Sequence, residues 1–251
     1  MSRHALITGA GTGIGAAIAK QLYREGHNVS LIGRRLEPLA TLAETLGNSC
    51  RAITGDVTDR ESIEAAFSEA TTNFGPVEIL INCAGVAPSA PFHRIEFDDW
   101  QKTLDVNLNG VFNCTQIALG DMKASGWGRI VTIASTASLK GFAYVSGYCA
   151  SKHAALGLTR ALALETAQQG ITVNAICPGY VDTDIVRDSI QGIMAKTGRS
   201  EAEALQHFTQ SNPQGRLIEA SEVAASVSWL CSEGAASVTG QAIAIDGGST
   251  A

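Results

Sequence analysis

Ala5-Leu-Ile-Thr-Gly-Ala-Gly-Thr-Gly-Ile-Gly15 is the stretch on which the reading of the fold turns. Its first four residues read as a short apolar strand, and from Gly13 an amphipathic pattern runs on to residue 25 as a helix. Glycines at the turn between strand and helix permit positive φ and let the backbone approach an anion. The unpaired N–H groups and the positive end of the helix dipole then face that anion. Strand, glycine-rich turn and helix in this order are the setting in which the motif points to a dinucleotide's pyrophosphate. Gly9, Thr12, Gly13, Ile14 and Gly15 are the residues expected to meet it.

Outward from this unit, the same rhythm repeats. Apolar, β-rich runs at 5–8, 29–32, 51–54, 79–82, 130–133, 172–177 and 242–245 alternate with amphipathic stretches at 13–25, 36–46, 60–74, 97–125, 147–169 and 221–230. Strands apolar on both faces and separated by helices imply a parallel sheet with right-handed crossovers. The expected fold is α/β: one Rossmann-type, doubly wound domain over 1–251 with about seven strands. The rhythm breaks between Asp184 and Gln214, where two polar helical stretches flank Gly198. Such an insertion lies over the ligand crevice of these sheets, so it is expected to be a small substrate lid, with a plain surface helix pair as the alternative.

Composition narrows the classes. At 251 residues, 45% hydrophobic and 17% charged, the chain can bury a large core and is far from disorder. A net charge of −6 without a Lys/Arg cluster argues against a nucleic-acid partner. No apolar run reaches the length of a membrane span, and the start shows no signal-peptide core, so a soluble cytoplasmic protein is expected. The six cysteines, at 50, 83, 114, 149, 177 and 231, contain no Cys-x-x-Cys pair and stand apart from the histidines. No metal site is expected, and a reducing compartment fits. Cys149, beside Tyr148, reads as a small buried thiol directed elsewhere on its helix.

Tyr148 and Lys152 are four residues apart in a predicted helix and so share a face. An ammonium beside a phenol favours the phenolate, and bringing a tyrosine from about 10 to near neutrality needs roughly 4 kcal/mol. The sequence therefore predicts that Lys152 lowers the pKa of Tyr148, making it a general acid and base for a carbonyl/alcohol pair. The second strand ends in Leu31-Ile-Gly-Arg-Arg35. Where NAD-preferring folds place an acid for the ribose 2′-OH, this chain has Gly33 followed by Arg34, whose planar fork suits a 2′-phosphate. NADP is the expected cofactor, with NAD as the alternative; neutral Thr12 is the residue that speaks for NAD.

With the glycine loop, Asn82-Cys-Ala-Gly85, Asn107, Ser135, Tyr148, Lys152 and Pro178-Gly179 in order, the chain strongly resembles the short-chain dehydrogenase/reductase family nearly end to end. The resemblance implies a nicotinamide cofactor, a homotetramer or homodimer, and a Ser–Tyr–Lys catalytic group. It implies that Ser135 orients the substrate oxygen, Tyr148 exchanges the proton, Lys152 holds the nicotinamide ribose and Asn107 supports a water leading to Lys152. Ser138 is a rival hydroxyl, set aside because Ser135 matches the family's spacing to Tyr148. Asp56 and Val57 resemble the adenine-binding step, with local turn chemistry as the plainer role for Asp56. Asn82, Ala84 and Gly85 match a motif in which Cys83 replaces a second Asn, a change expected to loosen its hydrogen-bond network. Pro178, Gly179, Val181 and Thr183 resemble the segment beside the nicotinamide, while Asn174 is expected to support the sheet.

Thr136, Ala137, Leu139, Val145, Tyr180 and Val181 are expected to face substrate together with Ser135 and Tyr148. This mostly apolar set favours an uncharged ketone or acyl thioester over a small anion. The runs Gly128–Thr136, Ser151–His153 and Ile176–Gly179 resemble those of 3-oxoacyl carrier-protein reductases and polyketide ketoreductases. An NAD-dependent secondary-alcohol or 3-hydroxyacid dehydrogenase is the alternative, and a non-catalytic dinucleotide sensor the alternative from another class. Retention of all four catalytic-type residues counts against the sensor. Lys123, Arg129 and Arg160 are candidates for meeting an acidic carrier protein, against a plain solvated surface. Small-molecule ketone or alcohol, rather than nucleic acid or membrane, is the expected partner. Oligomerisation is expected through the helices at 97–125 and 147–169.

Overall fold

The computed structural model describes residues 2–251, apart from the side chains of Ile185 and Lys196. Strands β1 (His4–Thr8), β2 (Asn28–Gly33), β3 (Cys50–Thr54), β4 (Ile79–Asn82), β5 (Gly128–Ile133), β6 (Ile171–Pro178) and β7 (Ala242–Ile245) form one sheet in the order 3-2-1-4-5-6-7. Every pair is parallel. The order reverses between β1 and β4, which opens a crevice at the carboxyl ends of these strands.

The sheet is apolar on both faces because helices cover both. Along β1, Ala5 and Ile7 join the core under α1 (Gly13–Arg24), α2 (Leu36–Leu46) and α9 (Ala220–Cys231), through Ile18, Leu22, Leu39, Val227 and Leu230. Leu6, between them, points to the opposite core with Ile63 and Phe67 of α3 (Arg60–Phe74) and Cys114 and Met122 of α5 (Gly110–Ser125). β4 repeats this alternation, with Ile79 and Ile81 on one side and Leu80 on the other. Each such aliphatic side chain, shut away from water, contributes about 1.5–3 kcal/mol. This is the doubly wound architecture the sequence predicts.

The helix expected over 97–125 is not continuous. α4 (Phe97–Leu104) passes into a π-helical turn, Asp105–Asn109, before α5 begins. The extra residue of a π turn rotates the chain locally and brings Asn107 fully inside. The helix expected over 147–169 is α6 (Ser146–Thr166), and it follows a short 3₁₀ turn, Thr136–Ser138. In the insertion, α7 (Asp184–Thr197) ends at Gly198, whose φ of 70° closes the helix, and α8 (Glu201–Thr209) starts from a capping box between Ser200 and Glu203. Val186, Ile190, Ala204 and Phe208 form a separate apolar cluster against Tyr180 and Leu217.

Arg129 corrects one expectation. It is only 2% exposed, lies over the Trp127 ring and donates to the carbonyls of Gly128 and Gly170. It cannot meet a carrier protein, whereas Lys123 and Arg160 are exposed. No helix among the described residues is long and apolar enough to cross a membrane.

Candidate active site

The glycine loop is built by close approach. Gly9 has φ 64°, and a Cβ there would stand 2.8 Å from the Cα of Ala84; at Gly15 it would stand 2.3 Å from the Gly9 carbonyl oxygen. Only glycine lets β1, the loop and the Cys83–Ala84 backbone fold this tightly. Thr8 secures the junction, its hydroxyl oxygen accepting from the amides of Cys83 (3.0 Å) and Ala84 (3.1 Å). Thr12 sits extended before α1 and makes no side-chain cap, so the first amides of the helix are directed at the loop. Ile14 packs onto the core, and the Thr183 methyl lies over Gly13. This cradle of bare backbone fits a pyrophosphate.

Arg34 is exposed beyond β2, and no described side chain pairs with it. Two further cations escaped the sequence reading: Lys20 and Arg35 line an open cleft with Gly11, Thr12 and Pro38. Nothing in their spacing marked them, because the cleft is formed by α1 and α2 coming together. Asp56 accepts from the amide (3.0 Å) and hydroxyl (2.8 Å) of Thr58, so local turn chemistry engages one of its oxygens. α3 is capped by Asp59. Val57 packs against Gly110 and takes the Asn113 amide on its carbonyl at 2.9 Å.

Asn82 donates to Thr115 at 3.0 Å, and its buried Oδ1 has no protein partner. Gly85 keeps open the space between two neighbours: a Cβ would lie 3.3 Å from Asn107 Oδ1 and 3.6 Å from Lys152 Nζ. Asn107 donates to the Val86 carbonyl (2.9 Å) and to Ser151 (3.0 Å), and accepts the Val86 amide (2.9 Å). Its side chain thus ties the loop after β4 to α6, with no direct bond to Lys152. Ser151, itself donating to the Tyr148 carbonyl, was not foreseen.

Ser135 emerges just beyond β5, where its hydroxyl caps the 3₁₀ turn by accepting from the Ala137 amide at 3.1 Å. Its side chain also lies close enough to the Tyr148 phenol to pull the pKa of that group downward. Ser138 is buried with its hydroxyl unpartnered, and it forms no such link. Thr136 and Ala137 are buried, Val145 precedes α6, and Tyr180 stacks edge-on with Phe208 at 5.0 Å. Val181 turns into the main core and bridges to Ile218. Pro178 ends β6, Gly179 donates to the Ile245 carbonyl at 3.0 Å, and Asn174 fastens the approach to β7 through Val238 and Gln241. Cys149 is half-buried rather than buried, and lies close enough to Tyr148 and Tyr180 to act on both.

The electrostatics differ from expectation. Lys152 is 5% exposed, donates to the Ile133 carbonyl at 2.8 Å, and lies 5.7 Å from the centroid of the Tyr148 ring. Desolvation pushes Tyr148 above its ordinary value, opposed by the Ser135 side chain beside it, and Lys152 does not reverse that. The lysine is displaced as well: burial lowers it to about 8. The i, i+4 spacing supplies proximity, but desolvation sets the direction at both groups. Tyr148 is therefore a protonated phenol at neutral pH, the form that donates to a carbonyl oxygen.

A stability prediction follows from Lys152. Below about pH 8 it is charged in the folded and unfolded chains alike, and the burial penalty is fully present; above its ordinary 10.5 it is neutral in both, and the penalty is gone. The displacement corresponds to about 3 kcal/mol. Lys152→Met is expected to raise the unfolding free energy at neutral pH by up to about 3 kcal/mol, the gain fading as pH rises from 8 to 10.5. Urea melts of the two chains side by side measure this, because the difference cancels the titration of the other buried groups. A gain independent of pH contradicts it.

A family model for short chain dehydrogenases matches residues 3–193. An actinorhodin polyketide ketoreductase solved with NADPH superposes with a TM-score of 0.95 at 39% identity, covering 99% of this chain and 97% of that one. A 3-ketoacyl-(acyl-carrier-protein) reductase from Brucella melitensis solved with NADH gives 0.90 at 29% identity, with 99% and 98% covered. The D-beta-hydroxybutyrate dehydrogenase of Rhizobium meliloti is 35% identical over 257 residues, spanning 100% of both chains. The chain belongs to the short chain dehydrogenase family. It is an oxidoreductase that uses a nicotinamide cofactor to interconvert ketones and secondary alcohols.

Proposed function

We propose that this protein is an NADP-dependent reductase of 3-oxoacyl thioesters or closely related ketones. The observation that carries the reading is the Tyr148 phenol, held in its protonated form by desolvation beside Ser135 at the carboxyl end of β5. The bound nicotinamide supplies the hydride. Ser135 and Tyr148 together receive the substrate oxygen, and Tyr148 releases its proton to that oxygen as the carbonyl becomes an alcohol. Lys152 holds the nicotinamide ribose and restores the proton to Tyr148, while Asn107 keeps the loop after β4 and α6 in register around it.

Gly9, Thr12, Gly13, Ile14 and Gly15 cradle the pyrophosphate, and Arg34 reads the 2′-phosphate. Asp56, Val57, Asn82, Ala84 and Gly85 flank the adenosine and ribose, and Pro178, Gly179, Val181 and Thr183 the carboxamide. Thr136, Ala137, Val145 and Tyr180 wall the substrate side, and the segment 184–214 closes over it as a lid. The NADPH in the actinorhodin ketoreductase supports the choice of cofactor. We read the protein as a cytoplasmic homo-oligomer: its cysteines are free, and Phe112 of α5 and Leu164 of α6 are 48% and 84% exposed.

The test is turnover with NADPH and NADH against an acetoacetyl thioester, aryl ketones and secondary alcohols. We expect thioester reduction favouring NADPH by at least about tenfold, as one charge-assisted contact allows, and near-equal use of the two by Arg34→Gln. Activity confined to NAD and an alcohol overturns the cofactor and direction.

A further inference from the structure

Beside the candidate site, Thr136, Lys140, Phe142, Tyr180, Arg216 and Asp246 help line a small recess that the proposed chemistry does not use. Thr136 and Tyr180 are also the residues assigned above to the substrate wall, which places the recess next to it. Its charges are unequally engaged. Arg216 donates to both carboxylate oxygens of Glu222, at 2.6 and 2.8 Å. Asp246 accepts from the Gly248 amide and from the hydroxyls of Ser249 and Thr250. Lys140 faces no described acidic side chain within ion-pair distance; its ammonium donates to the Ser249 carbonyl at 2.6 Å, with the Phe142 ring centroid at 5.4 Å.

That carbonyl is itself held in place. The bonds to Asp246 fold the tail over, and Gly247 packs so closely on Asn212 that a Cβ would fall 1.9 Å from Asn212 Oδ1. Lys140 is thus fixed by one of its three donors, and two remain for a ligand.

We propose that Lys140 is a specificity residue that takes an anionic group of the substrate, a carboxylate or phosphate carried away from the reacting ketone. The inference rests on the proposed function, because it places that group on the substrate of the same site. It also revises the view of the pocket as nearly uncharged. Lys140 is exposed, so the attraction is worth about fivefold in affinity.

Two measurements test it. Binding of hexanoate against hexanamide, by calorimetry, reads the charge without turnover: we expect hexanoate to bind about fivefold tighter to the wild type, and the preference to vanish in Lys140→Gln and persist in Lys140→Arg. Steady-state KM values for acetoacetate, acetoacetyl-coenzyme A, ethyl acetoacetate and acetoacetyl-N-acetylcysteamine then separate the sources. A rise in Lys140→Gln for acetoacetate identifies a carboxylate, and a rise for the coenzyme A thioester alone identifies a phosphate, with kcat and the neutral substrates unchanged. Equal binding of hexanoate and hexanamide by the wild type together with unchanged KM values for both acetoacetate and the coenzyme A thioester in Lys140→Gln, or an equal KM change for all four substrates, overturns the proposal. Absence of turnover with every ketone overturns the proposed function instead, and leaves the binding comparison to decide on Lys140.

Discussion

Replacing Tyr148 with phenylalanine is expected to lower kcat for ketone reduction by about 10²–10⁴-fold, the range for loss of a positioned proton donor. The ring remains, so its packing at the start of α6 should persist and the fold should be intact. Only the O–H is lost, together with its interaction with Ser135. Because the phenol of half-buried Tyr148 stays protonated through neutral pH, the wild-type enzyme has the donor in its working form, whereas the variant has none. Nicotinamide affinity should change little, since the glycine cradle and Lys152 are untouched. Steady-state rates, with nicotinamide titrations of the same samples, measure both quantities. Full turnover by the phenylalanine chain would sink the assignment of Tyr148.

The second large effect is expected at Gly15. An alanine there would place its Cβ 2.3 Å from the Gly9 carbonyl oxygen, a backbone atom that cannot rotate away. The loop must open, disturbing the amides that meet the pyrophosphate and the seat of Gly9 on Ala84. We expect a loss of about 1–3 kcal/mol of stability and a weakening of nucleotide binding of at least about 100-fold. Gly120→Ala is the control, because nothing lies within 4 Å of a Cβ at that position. Thermal melts and dinucleotide titration give the two readouts; a Gly15→Ala chain with wild-type affinity contradicts the cradle.

What the sequence made legible has a common physical origin. Strands covered on both faces must be apolar throughout, so β1, β4 and β5 could be found from composition and length alone. The glycine loop was legible because close backbone contact excludes every other residue there. The Tyr148–Lys152 pair was legible because helical spacing fixes a shared face.

Elsewhere the information lies in contacts between distant segments. No residue type in Asp105-Val-Asn-Leu-Asn109 announces a π turn, since its apolar spacing continues that of an ordinary helix. The balance of burial against attraction at Tyr148 and Lys152 depends on what surrounds both, and spacing alone gave the wrong sign for the tyrosine. Arg129 is hidden partly by the folding of Trp127 and Gly170 around it, and Lys140 is held by Ser249, 109 residues away. Neither position differs in sequence from a solvated surface cation.

The central claim is that this chain moves a hydride from a nicotinamide to a ketone at Tyr148. Its most direct test is incubation with a 3-oxoacyl thioester and NADPH carrying deuterium at the transferring carbon, with the product followed by mass spectrometry. We predict deuterium on the new carbinol carbon with the wild type and almost none with Tyr148→Phe. Binding of NADPH with no deuterium reaching any ketone or thioester offered would contradict the account, and would make the protein a dinucleotide-binding module that does not turn over.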